Sequence, residues 1–226
     1  MATVITMQLN KEEVCVDRAE GLRYIGYRPD TPSDILEKRA DSVLKRIREI
    51  LLPKACYLKV PVSIEETTDE IDFSCMKIRS KSLAYTLKGC KEAYLFAATT
   101  GSMLDREIAR STRKSAVDGL LTDAMGSAGI EGICDLVCER LEEIEKKPLT
   151  IRFSPGYGDL NIEIQKEFLQ VLDCNRKIGL TLTGEMMMTP MKSVTAIVGI
   201  DGDRTRHHKT GGCANCSETS CEFRKE

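Results

Sequence analysis

A short loop carries the side chains best suited to binding a ligand. Its sequence is R-F-S-P-G-Y-G-D-L, beginning at Arg152. Arg152 can hold a carboxylate through two parallel hydrogen bonds, Gly156 lets a ligand approach the backbone, and Tyr157 offers a flat face with a polar tip. The pattern predicts a loop between a strand, residues 148–153, and a helix, residues 161–173, whose free N–H groups would point back at the loop. The candidate binding residues here are Arg152, Ser154, Pro155, Gly156, Tyr157, Gly158 and Asp159.

The same residues also have ordinary structural explanations. Arg152 could be a surface arginine paired with a nearby carboxylate such as Asp159, Gly156 could serve a turn, and Tyr157 could lie at the edge of a core. A single R-x-x-x-G-Y pattern is weak evidence, so the choice depends on the residues further along the chain.

A second motif lies downstream, as K-I-G-L-T-L-T-G-E from Lys177 and P-M-K-S-V from Pro190. Together with R-x-x-x-G-Y it resembles the activation domain of cobalamin-dependent methionine synthase, an S-adenosylmethionine-binding module. The resemblance implies that the Arg152 loop binds S-adenosylmethionine. It also suggests Glu131 as a partner for the sulfonium or amino group, with a solvated helix carboxylate as the alternative. After Gly-Tyr the family has a Pro- and Cys-containing run, whereas this chain continues with Gly158 and Asp159.

The resemblance implies a reactivation protein that supports reductive methylation of cobalamin on a separate protein. The partner would be cobalamin-dependent methionine synthase or another corrinoid protein, with a flavodoxin-like or other electron donor. Methyltransferase-type activity of the chain itself stays open. The alternatives are a non-catalytic S-adenosylmethionine sensor or corrinoid-protein binding module with a metal-binding tail, and a redox module. The two histidines, His207 and His208, argue against Ser-His-Asp or Cys-His catalysis and against a D-x-H-x-x-G cobalamin motif.

Cysteines near the C-terminus form the other pattern with chemical potential. The C-x2-C-x4-C spacing of Cys213, Cys216 and Cys221 suits zinc or an iron–sulfur cluster if a further ligand joins; a reduced cysteine-rich tail is the alternative. For Cys134 and Cys138, one helical turn apart among apolar residues, core packing is favoured over metal binding.

Composition limits the remaining function classes. The chain has 226 residues, 42% hydrophobic and 30% charged, with a net charge of −2. Without a basic run between aromatics, we expect no nucleic-acid partner, and without a long apolar segment or signal peptide, we expect no membrane association and a cytoplasmic location. The predicted domains are residues 1–200, resembling the activation domain, and a cysteine-rich tail of residues 201–226.

The order of predicted elements favours an α+β fold, a mixed, largely antiparallel twisted sheet flanked by helices. Apolar spacing and turn residues predict helices over residues 10–24 and from residue 31 to Pro53. A long helical region over 103–145 should break at Gly119 and near residues 126–129. The predicted strands include 55–64, 71–78, the apolar run 93–98, and 193–200.

Overall fold

The computed structural model describes residues 3–27 and 33–200. Its main sheet is antiparallel, in the strand order β1 (Ile5–Met7), β2 (Lys54–Pro61), β6 (Glu92–Thr99) and β9 (Ser193–Gly199). A smaller antiparallel sheet contains β3 (Ser63–Glu65), β4 (Glu70–Asp72) and β5 (Lys77–Arg79). A short hairpin joins β7 (Thr181–Leu182) to β8 (Met188–Thr189).

Helices cover both faces of the main sheet. The first group is α1 (Arg18–Tyr24), α2 (Asp34–Ile50), α4 (Ser102–Lys114) and α5 (Ala116–Glu145), and the second is α3 (Lys81–Thr86), α6 (Ile164–Val171) and α7 (Cys174–Ile178). A short 3₁₀ helix, Lys11–Glu13, precedes α1. The architecture confirms the predicted α+β fold with a largely antiparallel sheet.

Strand β6 shows why the sheet has two cores. Tyr94 and Phe96 point into the core beneath α2, α4 and α5, whereas Leu95 points into the core beneath α3, α6 and α7. All three side chains are buried. Because alternate residues of a strand face opposite sides, a strand covered on both faces has a continuous apolar sequence. The run 93–98 was therefore a reliable strand signal.

The helix predicted over residues 10–24 is wrong in its first half. After the 3₁₀ helix the chain is extended through Val14 and Val16, which are both buried, and α1 begins after Asp17. The Asp17 carboxylate accepts hydrogen bonds from the N–H groups of Ala19 and Glu20 at 2.8 and 3.2 Å. This side-chain cap sets the start of the helix.

The predicted break near residues 126–129 is also wrong, since α5 runs without interruption from Ala116 to Glu145. The real break is at Ser115, whose hydroxyl accepts a hydrogen bond from the Asp118 N–H at 3.3 Å. Gly126 and Gly132 of α5 let neighbouring segments pack closely. A Cβ at Gly126 would meet the Leu104 side chain of α4 at 3.0 Å, and one at Gly132 would overlap the carbonyl oxygen of Cys15.

Two predicted elements around the loop have different bounds in the structure. Residues 149–153 form isolated antiparallel bridges to β9 and its continuation, Leu149 to Ile200 and Phe153 to Ile197, in place of a regular strand. The helix predicted over 161–173 is confined to α6, and α7 comes after it as a separate helix. None of the helices in the described part of the chain combines the length and apolarity needed to span a bilayer. The division at residue 200 stays a prediction, because residues 201–226 lie outside the described ones.

Candidate ligand-binding site

Arg152 leaves the segment beside β9 and reaches helix α5. Its neighbour Phe153 is buried and exchanges two backbone hydrogen bonds with Ile197, at 3.0 and 2.8 Å, which fixes the backbone at this point. The guanidinium then donates from Nη2 to Oε2 of Glu131 at 2.6 Å and from Nη1 to Oδ1 of Asp135. The structure thus brings together two predicted site residues, Arg152 and Glu131, which are far apart in the sequence.

The environment of Arg152 keeps it charged. Burial is the largest single effect and opposes the charge, but the hydrogen bond to Asp135 and the surrounding negative charge together outweigh it, so the pKa of the Arg152 guanidinium is raised. The two neighbouring thiols are neutral at physiological pH, because burial raises the pKa of Cys134 strongly and that of Cys138 to about 11. The Arg152 charge is therefore balanced by carboxylates. The side chains of Cys134 and Cys138 pack with the apolar core beside α5.

A single polar stripe runs along the otherwise buried middle of α5. Between residues 121 and 137 the residues that are not buried are four that recur every fourth position: Asp123, Ser127, Glu131 and Asp135. Residues four apart lie on nearly the same face of a helix, so the stripe is a continuous strip of surface. The neighbouring apolar residues of α5 pack into the core on one face of the main sheet.

Both sequence motifs place a cation on this stripe. Arg152 of R-x-x-x-G-Y pairs with Glu131 and Asp135 at one end. Lys192 of P-M-K-S-V donates from Nζ to Asp123 at 2.8 Å and to the Ser127 hydroxyl at 2.9 Å at the other end. At a rise of 1.5 Å per residue, the two attachment points lie about 12 Å apart along α5. Helix α5 thus connects motifs that the chain separates by almost forty residues.

The loop after Arg152 is closed by its own backbone. The N–H of Gly156 donates to the carbonyl of Leu160 at 2.9 Å, and the N–H of Tyr157 to that of Ser154 at 3.0 Å. Gly156 has φ +92°, a left-handed conformation that glycine adopts without strain. Pro155 is buried, Ser154 is half-buried, and the Tyr157 residue is 63% exposed. The loop therefore presents an aromatic ring to solvent.

Asp159 connects the loop to α3, so the pairing of Asp159 with Arg152 considered from the sequence is wrong. Its carboxylate accepts hydrogen bonds from the Ser80 hydroxyl at 2.6 Å and from the N–H groups of Lys81 and Ser82 at 2.8 and 3.1 Å. These bonds, the Ser80 hydroxyl first, hold the pKa of Asp159 down at about 2. Gly158 lies close to the same helix end, since a Cβ there would be 2.9 Å from Oγ of Ser82.

Helix α6 does not direct free N–H groups at the loop, contrary to the sequence-based expectation. Its first N–H groups, those of Ile164, Gln165 and Lys166, donate to carbonyls three residues earlier, at 3.0–3.3 Å. This tight first turn uses the donors that a longer helix would have left unpaired.

Sequence reasoning missed Asp135 at one end of the stripe, and Lys192 with its partners Asp123 and Ser127 at the other. The four-residue spacing of Glu131 and Asp135 was the available signal for Asp135. The predicted metal ligands Cys213, Cys216 and Cys221 lie outside the described residues. Within residues 3–27 and 33–200, there is no group of three or more histidine, cysteine or acidic residues placed to hold a metal ion.

Comparison with known proteins shows what these features are similar to. Residues 136–215, which contain R-x-x-x-G-Y and P-M-K-S-V, match the family model described as vitamin B12 dependent methionine synthase, activation domain. Among curated proteins, none matches the chain by sequence. By structure, the chain is similar to a crystal structure of the MetH reactivation domain bound to AdoHcy, with a TM-score of 0.65 and 16% identity over 89% of this chain and 79% of the other. At that identity the likeness concerns the fold. The two findings confirm the resemblance to the activation domain of vitamin B12 dependent methionine synthase, by sequence over residues 136–215 and by fold over most of the chain.

Proposed function

We propose that this chain binds S-adenosylmethionine at the Arg152 loop and supports reductive methylation of cobalamin on a separate methionine synthase or another corrinoid protein. The observation that carries the proposal is the placement of Arg152, which lies in the residues matched by the family model, beside Glu131 and Asp135. The AdoHcy bound to the structurally similar MetH domain supports the same class of ligand.

The charges of Arg152, Glu131 and Asp135 suit the amino-acid end of S-adenosylmethionine. A guanidinium binds a carboxylate through paired, charge-assisted hydrogen bonds, and a nearby carboxylate accepts hydrogen bonds from an ammonium group or faces a sulfonium. The Arg152 side chain is 27% exposed and the Glu131 side chain 47% exposed, so a ligand can reach both. We assign the ligand carboxylate to Arg152 and the ammonium or sulfonium group to Glu131.

The loop would hold the adenosyl end. The exposed face of Tyr157 suits stacking on an adenine, and the backbone around Gly156 and Gly158 permits close approach. Ser154 would border the ligand, the buried Pro155 would support the loop from beneath, and Asp159 holds the loop on α3. Asp159 thus contributes by fixing the loop, since its carboxylate already accepts three hydrogen bonds.

S-adenosylmethionine supplies a methyl group on a positively charged sulfur, and the partner's reduced corrinoid would be the nucleophile that accepts it. The residues of this chain then need to bind the ligand, orient it and exclude water. We extend the proposal to a flavodoxin-like or other electron donor and to a cytoplasmic location, both on the family resemblance.

Methyl transfer to a supplied corrinoid protein tests the function. S-adenosylmethionine carrying a labelled methyl group is incubated with a reduced corrinoid protein and either wild type, Arg152→Ala or Arg176→Ala. Arg176 is a matched control, because its side chain is 85% exposed on α7 and pairs with Asp173. We expect label on the corrinoid with wild type and Arg176→Ala, and loss of it with Arg152→Ala. Binding without transfer would favour a non-catalytic S-adenosylmethionine sensor or corrinoid-protein binding module.

We also propose a metal or cluster site at Cys213, Cys216 and Cys221, on their spacing alone. Metal analysis and the absorption spectrum of the protein as purified test it, with a Cys213→Ser, Cys216→Ser, Cys221→Ser triple variant for comparison. Stoichiometric zinc or iron that is lost in the variant supports the site. Equal metal content in both proteins would refute it.

A further inference from the structure

Both terminal nitrogens of the cation proposed to bind the ligand already pair with acids. The two terminal nitrogens of the Arg152 guanidinium donate to different acids, Nη2 to Glu131 at 2.6 Å and Nη1 to Asp135. A guanidinium binds a carboxylate with two parallel N–H groups that meet both carboxylate oxygens. A ligand carboxylate that binds across the two terminal nitrogens competes there with the resident acids, so one of the acids is expected to give way.

Exposure indicates which acid gives way. The Asp135 side chain is 64% exposed, against 47% for Glu131 and 27% for Arg152, so Asp135 lies at the solvent side of the cluster. An exposed carboxylate that leaves an arginine is rehydrated at once, and exposed ion pairs are weak for that reason. The energetic cost of moving Asp135 is therefore small compared with the gain from a paired contact to the ligand.

We propose that Asp135 is a displaceable counter-ion that occupies the ligand-carboxylate position on Arg152 until the ligand arrives. In this arrangement Asp135 keeps the guanidinium oriented along α5 when no ligand is bound. A ligand with a carboxylate takes its place on Nη1, while Glu131 remains to face the ligand's positive group. The inference rests on the proposed binding of S-adenosylmethionine and adds a source of specificity. An adenosyl compound without a carboxylate cannot replace Asp135.

The proposal predicts a gain of affinity on removing a charge from the site. Titration calorimetry with S-adenosylhomocysteine, whose sulfur is neutral, compares wild type with Asp135→Asn. We expect the variant to bind about 1.5- to 5-fold more tightly, which is the range that weak exposed ion pairs represent. The matched control is Glu139→Gln, one turn further along α5, whose side chain is exposed and has no described contact with Arg152. Its affinity should equal that of wild type.

A second ligand separates displacement from a general change in the site. 5′-Methylthioadenosine keeps the adenosine and the thioether but lacks the amino-acid carboxylate, so Asp135→Asn should leave its affinity unchanged. Thermal unfolding of each variant checks that the fold is intact. Unchanged or weaker binding of S-adenosylhomocysteine by Asp135→Asn would overturn the counter-ion proposal alone. Absence of saturable binding by wild type would instead overturn the proposed function on which it rests.

Discussion

The three hydrogen bonds of Asp159 make its removal a sensitive test of how the loop is held. In Asp159→Ala the N-terminus of α3 loses a charged acceptor for the Lys81 and Ser82 N–H groups, and the Ser80 hydroxyl loses its partner. Substituting an acidic or polar cap by alanine costs about 0.5–2 kcal/mol, and a charge near a helix N-terminus contributes about 0.3–1 kcal/mol. Because Asp159 is exposed, we expect a total loss of about 1–2 kcal/mol.

Denaturation at several pH values measures this loss and its origin. For a chain of this length, about 1–2 kcal/mol corresponds to a fall in Tm of about 2–8 °C. The pKa of Asp159 is about 2 in the folded protein, below its usual value, so its carboxylate stabilises the fold above the unfolded-state pKa. The difference between wild type and Asp159→Asn should therefore be constant near neutral pH and diminish as the pH falls from about 4 towards about 2.

Glu66→Gln is the control for Asp159, since Glu66 is exposed in the turn between β3 and β4, away from any helix end, and none of the described side-chain contacts involves its carboxylate. It should unfold like wild type at every pH. Equal stability of Asp159→Ala and wild type at neutral pH would refute the clamp. A stability difference for Asp159→Asn that persists unchanged in strong acid would refute its electrostatic origin.

Three further perturbations test the packing that supports the site. Glu107→Gln removes the charge of a nearly buried carboxylate that is bound by two arginines. We expect urea denaturation to show a fall in the free energy of unfolding of about 1–3 kcal/mol at neutral pH. This fall should shrink below about pH 4, because the pKa of Glu107 is held at about 2. Gly132→Ala should cost about 1–3 kcal/mol in the same assay, because the added methyl group overlaps the carbonyl oxygen of Cys15, whereas Gly184→Ala, where the Cβ meets nothing, should cost much less. Cys138 should be alkylated by iodoacetamide more slowly than the exposed Cys15 at about pH 8, as measured by peptide mass spectrometry, because burial raises the pKa of Cys138 to about 11.

Each of these three predictions has an outcome that would contradict the structure. A Glu107→Gln protein as stable as wild type would mean that the carboxylate is not held by its arginines. Equal stabilities of the two glycine variants would remove the evidence that α5 packs closely on the N-terminal segment. Alkylation of Cys138 as fast as that of Cys15 would mean that Cys138 is accessible.

Local sequence patterns correctly predicted two elements of the fold. The run 93–98 identified β6, and apolar spacing up to Pro53 identified α2. The same reasoning failed where glycines had a tertiary role. Gly126 and Gly129 suggested a break in α5, but both lie within the continuous helix, and Gly126 lets the Leu104 side chain of α4 approach closely.

Residues of the candidate site could be predicted from the sequence, but the contacts between them could not. The sequence indicated Arg152 and Glu131 separately, through a motif and a family resemblance. It could not show that α5 brings them within 2.6 Å of each other, because that contact depends on how the helix crosses the sheet. For the same reason Asp159, near to Arg152 in sequence, was considered as its partner, while the actual second partner is Asp135. Contacts between distant segments depend on the whole packing arrangement.

Calorimetric titration of S-adenosylmethionine into wild type, Arg152→Ala and Arg176→Ala tests the central claim most directly. A lost charge-assisted contact to a carboxylate should weaken binding by at least about tenfold, equivalent to about 1.4 kcal/mol or more. We therefore predict saturable binding by wild type and by the Arg176→Ala control, and a large loss with Arg152→Ala. Equal binding by all three proteins would contradict the placement of the ligand at Arg152, and no binding by wild type would contradict the proposed function itself.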